Sequence, residues 1–335
     1  MTIKQDLHIS TTVVEAEQSP GQNPFLFAVG CPRSGTTLLQ RMLNHHPMLA
    51  VANDTHFIPR AIEDLTDGAD LPLNSEIVER VRNYRRYPRL GLPDGALDEA
   101  AGQAQTYSDL VSGLYSAYAR LHDKPLAGEK TPDYVRYLPL LHKLFPAAKS
   151  IHIIRDGRDV ALSTLEWAHE GKGPGRFQLW QQEPVAVCAL WWRWQVSSGW
   201  RDGIKLGPSR YHEIHYEALV AQPEETVREI TTFLELPFAA EMLTYYAGKT
   251  HHNPDLSSKK QWLPPTSGLR DWRSQMKERD AALFEALAGD ILSALGYEPG
   301  PLTNSPEINA VAERCWAWWQ EEMERREAKK AQKKS

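Results

Sequence analysis

The octapeptide Gly30-Cys31-Pro32-Arg33-Ser34-Gly35-Thr36-Thr37 limits what this chain can fold into more than any other stretch. It follows the apolar run Phe25 to Val29 and precedes a segment in which Leu38, Leu39, Met42 and Leu43 recur at helical spacing up to His46-Pro47. Strand, glycine turn and helix is the setting in which GxxxxG followed by hydroxyl residues binds phosphate. Glycine lets the backbone turn close to an anion, and several N–H groups and a helix N-terminus converge on it. A loop of this kind needs a sheet behind it. The same grammar returns at Ser150 to Ile154, before a helix bearing Val160, Leu162, Leu165 and Trp167, and at Tyr211 to His215, before a helix over Pro223 to Leu236. The expected class is therefore α/β, a P-loop-like parallel sheet flanked by helices, with helical insertions.

The stretch between the first two units, residues 60–125, is helical in pattern from Tyr107 to Leu121 and is expected to form an insertion or cap over the acceptor site. Pro132 to Phe145 places Val135, Leu138, Leu141, Leu144 and Phe145 on one face and is expected to be one helix. Residues 1–22 lack the cationic start and apolar core of a secretory signal and read as a flexible leader ahead of a domain spanning 23–300. Residues 301–335 read as a charged, solvated helix or tail with Trp316, Trp318 and Trp319 near its start. The tryptophans Trp191, Trp192, Trp194 and Trp200 have the spacing of core packing rather than of a ligand platform. A formal net charge of −5 argues against a broad nucleic-acid footprint, so any bound anion must be held locally. No apolar run reaches the roughly eighteen residues of a membrane helix. Cys31, Cys188 and Cys315 are widely spaced without a CxxC pair, which suits a cytoplasmic location, and His45-His46 and His251-His252 lack chelating spacing, so no metal is expected.

In this loop the position of the usual P-loop lysine is Thr36, and the cation stands earlier, at Arg33. A kinase or ATPase needs that lysine for the β- and γ-phosphates. PRSGTTLL resembles the 5′-phosphosulfate loop of sulfotransferases that use 3′-phosphoadenosine 5′-phosphosulfate (PAPS), and its arginine form is similar to that of the tyrosylprotein sulfotransferases and their bacterial relatives. The resemblance implies that Arg33, Ser34, Gly35, Thr36 and Thr37 hold the 5′ end of the donor. Arg155, with Ser163 eight residues later, is similar to the superfamily's 3′-phosphate segment, where a guanidinium fork and a hydroxyl grip one phosphate. Tyr216-Glu217-Ala218-Leu219-Val220 resembles a Y-E-x-L-V strand end whose tyrosine lies near the nucleotide, although an interior tyrosine would look the same. Gly268 and Trp272 resemble a late nucleotide loop that lacks the R-K-G of many members, and Trp167 stands where tyrosylprotein enzymes place an arginine. The likeness runs from Phe25 to Arg273.

Sulfuryl transfer requires a base for the acceptor proton and cations for the departing phosphate oxygen. For the second task the resemblance implies Arg33 and Lys130, the lysine of Gly128-Glu129-Lys130-Thr131-Pro132. For the first it implies Asp54, in Ala52-Asn53-Asp54-Thr55-His56, where the tyrosylprotein enzymes carry a glutamate. His56, with an ordinary pKa nearer neutrality, is a rival, and an Asx turn is a third reading of Asp54. Ser258, before Lys259, could assist the leaving group. The implied co-substrate is PAPS, without a metal, and the acceptor a small molecule, glycan or lipid. Tyr84-Arg85-Arg86-Tyr87-Pro88-Arg89 suits either an anionic acceptor or a solvated loop, and the C-terminal helix offers a surface for a homodimer. A magnesium-dependent kinase and a non-catalytic nucleotide-binding scaffold are the competing classes.

Overall fold

The computed structural model describes residues 23–66, 68–169, 171–246, 270–300 and 305–332. Five parallel strands form one sheet: β1 (Leu26–Gly30), β2 (Leu49–Asn53), β3 (Leu126–Lys130), β4 (Lys149–Ile154) and β5 (Tyr211–His215), in the order β2-β3-β1-β4-β5. The register is continuous, with Val51 beside Gly128, Leu26 beside both Gly128 and Lys149, and Ile153 beside Ile214.

The helices are α1 (Thr36–Asn44), α2 (Phe57–Arg60), α3 (Ser75–Arg82), α4 (Ala96–Gln103), α5 (Tyr107–Leu121), α6 (Leu138–Leu144), α7 (Gly157–Trp167), α8 (Pro184–Leu206), α9 (Tyr216–Ala221), α10 (Pro223–Leu234), α11 (Trp272–Gln275), α12 (Glu278–Ala294) and α13 (Pro306–Gln332). Successive strand residues point to opposite faces, so each strand feeds two cores. Phe27 and Val29 join Ala50 and Ala52 beneath α5 and α6, while Leu26 and Ala28 join Val51, Ile151 and Ile153 beneath α1 and α10. A sheet buried on both faces is what the near-continuous apolar strands require.

Strands β2 and β3 were not legible as such, because LAVAN and LAGEK are short and the second ends in two charges. The expected helix over Pro132 to Phe145 is broken. A 3₁₀ turn, Pro132–Arg136, is followed by Tyr137 outside helical geometry and then by α6, with Pro139 in its first turn. Proline there removes a backbone donor and crowds the carbonyl four residues earlier, which prevents one continuous helix. Within residues 60–125, α5 opens with a capping box between Thr106 and Asp109 and buries Tyr107, Leu110, Leu114 and Tyr115 in the first core.

The C-terminal segment is a helix, as expected, but not a solvated one. Ala312, Cys315, Trp319 and Glu322 recur at helical spacing and are buried, the first three in a cluster with α8 and α12. Trp191 and Trp192 are core residues of the same cluster.

Candidate active site

In a parallel sheet every strand ends at the same edge, and ligands of open α/β folds bind outside those carboxyl ends. Each of the five strands here delivers a segment singled out in the sequence. After β1 comes the Gly30–Thr37 loop, at the end of β2 Asp54, at the end of β3 Lys130, after β4 Arg155, and after β5 Tyr216.

The loop has the form an anion site needs. Gly35 sits at φ 90° and begins α1 without a side-chain cap. The N–H groups of the first turn are thus left to a ligand. A Cβ at Gly35 would lie 2.3 Å from the ring of Tyr216. Tyr216 therefore packs directly against the phosphate loop, while the Arg155 guanidinium lies 4.2 Å over the same ring. One aromatic ring thus bridges the glycine loop and Arg155. Ser34 is fully buried with Oγ unpartnered, and the buried Nε of Arg155 likewise lacks a partner. Buried donors of this kind cost free energy unless an acceptor meets them, so the residues present fit an anionic ligand with two separated charged groups. Thr36 is buried and Thr37 half-buried at the start of α1.

Arg33 and Ser163 meet: Arg33 Nε donates to Ser163 Oγ at 3.0 Å, and its guanidinium lies 5.8 Å over Trp167, the residue standing where the tyrosylprotein enzymes have an arginine. Burial, with Arg270 and Arg155 nearby, lowers the pKa of Arg33. Arg270 itself pairs with Glu166. Arg33, which the resemblance implies at the 5′ end and the leaving oxygen, thus also reaches Ser163, the residue it implies for the 3′-phosphate.

The remaining pair lies together. Lys130, 1% exposed, places Nζ 3.1 Å from Asp54 Oδ1, and Arg89 approaches the other carboxylate oxygen at 3.9 Å. Asp54 keeps 22% of its side chain open to solvent, so an acceptor can reach it. His56 is half-buried, and burial, then Arg86, lowers its pKa to about 4. Its advantage over a carboxylate as a base near neutral pH is lost. Ser258, Lys259 and Gly268 lie outside the described residues, as does most of the His251 to Arg270 loop.

Around His56 stands a wall with more cations than the sequence motifs suggest, most of them paired with a carboxylate, Arg60 with Glu63, Arg136 with Asp133 and Arg326 with Glu322. Arg60 and Arg136 flank the ring of Tyr137 at 5.3 and 5.7 Å, and Arg136 also lies 4.2 Å over Trp194. Arg176 and Arg326 share the ring of Phe177 at 5.3 and 4.5 Å. Asp133 faces this group. Its burial would raise the pKa, but Arg136, His56, the hydrogen bond from Gln195 and Arg176 outweigh that and hold it at about 2. Residues so far apart in the chain left no local signal to read.

Arg155 is held from behind. The N–H of Asp156 donates to Glu217, Trp192 Nε1 donates to the Arg155 carbonyl, and Arg158, fully buried, forks onto Asp156 and reaches Glu285. Among the described residues no cluster of three His, Cys, Asp or Glu could hold a metal, and no helix is long and apolar enough to cross a membrane.

Fold and site together define a phosphate-loop α/β protein whose glycine loop lies at the carboxyl end of its first strand. The sulfotransferase family model matches residues 24–240, well over half of the chain, and the chain belongs to that family, within the PAPS-dependent superfamily that its loop resembles. An uncharacterized protein of Aquifex aeolicus is 30% identical over 241 residues, covering 69% of this chain and 28% of that protein. Protein-tyrosine sulfotransferase A of Caenorhabditis elegans is 27% identical over 297 residues, covering 87% of this chain and 72% of that one. The chain thus spans about a quarter of the length of the first and under three quarters of the second. The sulfotransferase domain of the Synechococcus PCC 7002 olefin synthase shares the fold, with a TM-score of 0.57 at 23% identity over 82% of this chain and 94% of that domain.

Proposed function

We propose that the protein transfers the sulfuryl group of PAPS to an acceptor hydroxyl or amine by in-line displacement. The observation that carries the reading is the bridge from Gly35 through Tyr216 to Arg155, which joins a phosphate loop without its lysine to a second anion site. The donor, when bound, supplies an activated sulfuryl group whose departure leaves a phosphate oxygen bearing charge. In this reading Ser34, Gly35, Thr36 and Thr37 hold the 5′ end, and Arg155, Ser163 and Arg33 the 3′-phosphate. Lys130 and Arg33 stabilise the leaving oxygen, and Asp54 takes the acceptor proton. A phosphotransferase reading meets Thr36 where it needs a lysine.

Calorimetric titration with 3′-phosphoadenosine 5′-phosphate (PAP) against ATP, in metal-free buffer, tests the donor site. PAP is expected to bind and ATP not, and Arg155→Ala is expected to weaken PAP by about 30- to 300-fold, as loss of a charge-assisted, partly buried phosphate contact does. Preference for ATP would sink the reading.

For the acceptor, the cationic wall around Asp133 keeps a small net positive charge after its pairs with Glu63, Asp133 and Glu322, and this favours a molecule bearing carboxylate, sulfate or phosphate groups over a neutral glycan or lipid. Curated relatives named as protein-tyrosine sulfotransferases are consistent with a phenolic hydroxyl in such a molecule. Between 4-hydroxyphenylacetate and the neutral 2-(4-hydroxyphenyl)ethanol, the carboxylate is expected to show the higher kcat/KM, by about tenfold at low salt and less at high salt. Equal values would set the anionic acceptor aside.

A further inference from the structure

The segment that carries Asp54 is bent against its own preferences. Asp54 and His56 stand at φ 57° and 61°, left-handed geometry on both sides of Thr55. Such geometry is unfavourable for a residue that carries a Cβ, and the shape persists only where surroundings over-determine it. Here the surroundings are specific. The Asp54 N–H donates to the Lys130 carbonyl at 2.7 Å, the Ile58 N–H to Tyr134 Oη at 3.1 Å, and the Thr55 N–H to Glu129 Oε1 at 3.0 Å. Two of these three contacts are backbone or phenol. The third is a carboxylate with no exposed surface.

Glu129 precedes Lys130 on β3, so the pleat sends the two side chains to opposite faces of the sheet. On its own face Glu129 collects further donors: Thr131 Oγ1 on the oxygen that accepts from Thr55, and Tyr115 Oη at 2.7 Å on the other. Three donors converging on two oxygens is the pattern of an ionised carboxylate. On balance the pKa of Glu129 is raised, by burial first and by the nearby Asp54, while the bonds from Thr131, Tyr115 and the Thr55 N–H oppose the rise. A buried carboxylate is costly to keep, and an apolar side chain in its place would leave the Thr55 N–H without an acceptor.

We propose that Glu129 is a positioning residue: its carboxylate anchors the Thr55 N–H and so fixes the left-handed backbone that aims Asp54 at Lys130. This rests on the reading of Asp54 as the base. It gives the glutamate of Gly128-Glu129-Lys130-Thr131 a role distinct from that of its neighbour, acting on the reaction through the main chain and touching no substrate.

The test uses the full chain as parent, E129Q, D54N and the double variant. It has two readouts, single-turnover release of labelled sulfate from PAPS with water as acceptor, and amide hydrogen exchange at Thr55. In E129Q a neutral amide oxygen replaces the charged acceptor of the Thr55 N–H, and the Thr55 amide is expected to exchange about tenfold faster while the amides of β1 keep their protection, as weakening of one charge-assisted hydrogen bond allows. Sulfate release is expected to fall about 30-fold when E129Q is made in the parent, yet less than about twofold when it is made in D54N, with PAP affinity unchanged. The same fractional loss in both backgrounds, or unaltered exchange at Thr55, would overturn the proposal. Parental rates in D54N would overturn the base assignment instead, and exchange at Thr55 would still decide whether Glu129 holds the loop. If E129Q does not fold, T131V removes one donor to Glu129 and leaves the Thr55 N–H bond in place. A rise of about threefold in Thr55 exchange supports the anchor, and no change opposes it.

Discussion

Asp54→Asn is expected to lower turnover by about 10²- to 10⁴-fold, the range associated with losing a general base. PAP should bind the variant within about twofold of the parent, since the loop and Arg155 follow other strands and Ser163 lies in α7. Asparagine keeps the size and much of the hydrogen bonding of aspartate but cannot accept the acceptor's proton. Lys130, 3.1 Å from Asp54 and almost fully buried, would lose its nearby counter-charge. Presteady-state rates with a saturating acceptor, alongside PAP calorimetry, separate the two effects. A variant that turns over at the parental rate would move the base to His56, despite the burial that lowers its pKa to about 4.

The second large effect is one of stability. Arg158→Ala is expected to destabilise the fold by about 3–5 kcal/mol, because removing one member of a buried ion network strands the others. The guanidinium has no exposed surface, donates to both oxygens of Asp156, to Glu285 at 2.6 Å and to the Glu298 carbonyl at 2.8 Å, and stacks 3.7 Å from the centre of the Trp272 ring. Alanine would leave the Asp156 and Glu285 carboxylates buried without that cation. Asp156 also caps α7, so PAP affinity should fall along with the midpoint of urea unfolding. An unchanged midpoint would show that the network relaxes or takes up water, and that Arg155 is held by other means.

What the sequence revealed and what it concealed divide along a physical line. The phosphate loop, Arg155 with Ser163, and Tyr216 were readable because each lies within one strand-turn-helix unit, where local spacing determines which groups converge. The meeting of Arg33 with Ser163 joins residues 130 positions apart, and nothing in either motif announces it. Strands β2 and β3 exist through their pairing, Ala50 beside Ala127 and Asn53 beside Lys130, and five-residue segments carry too little pattern to declare themselves. Glu129 passed unnoticed because its partners Thr55 and Tyr115 come from a loop and a helix elsewhere in the chain. The C-terminal helix departs from the solvated one expected for a different reason. Its stripe of Ala312, Cys315 and Trp319 was present in the sequence but outnumbered by charged neighbours.

The five strand ends that share one edge of the sheet have a consequence for how this scaffold can diversify. Groups assigned to the donor hang directly from the strands, whereas much of the cationic wall on the acceptor side comes from surrounding segments, Arg89 from the 60–125 stretch, Arg176 from a turn before α8 and Arg326 from α13. On the reading proposed above, donor recognition stays with the strand ends, and acceptor preference is carried by side chains on segments that also build the core, so it changes by substitution at their exposed positions and not by exchange of whole segments. A lineage built this way can inherit its reagent unchanged while each descendant is free to choose its own target.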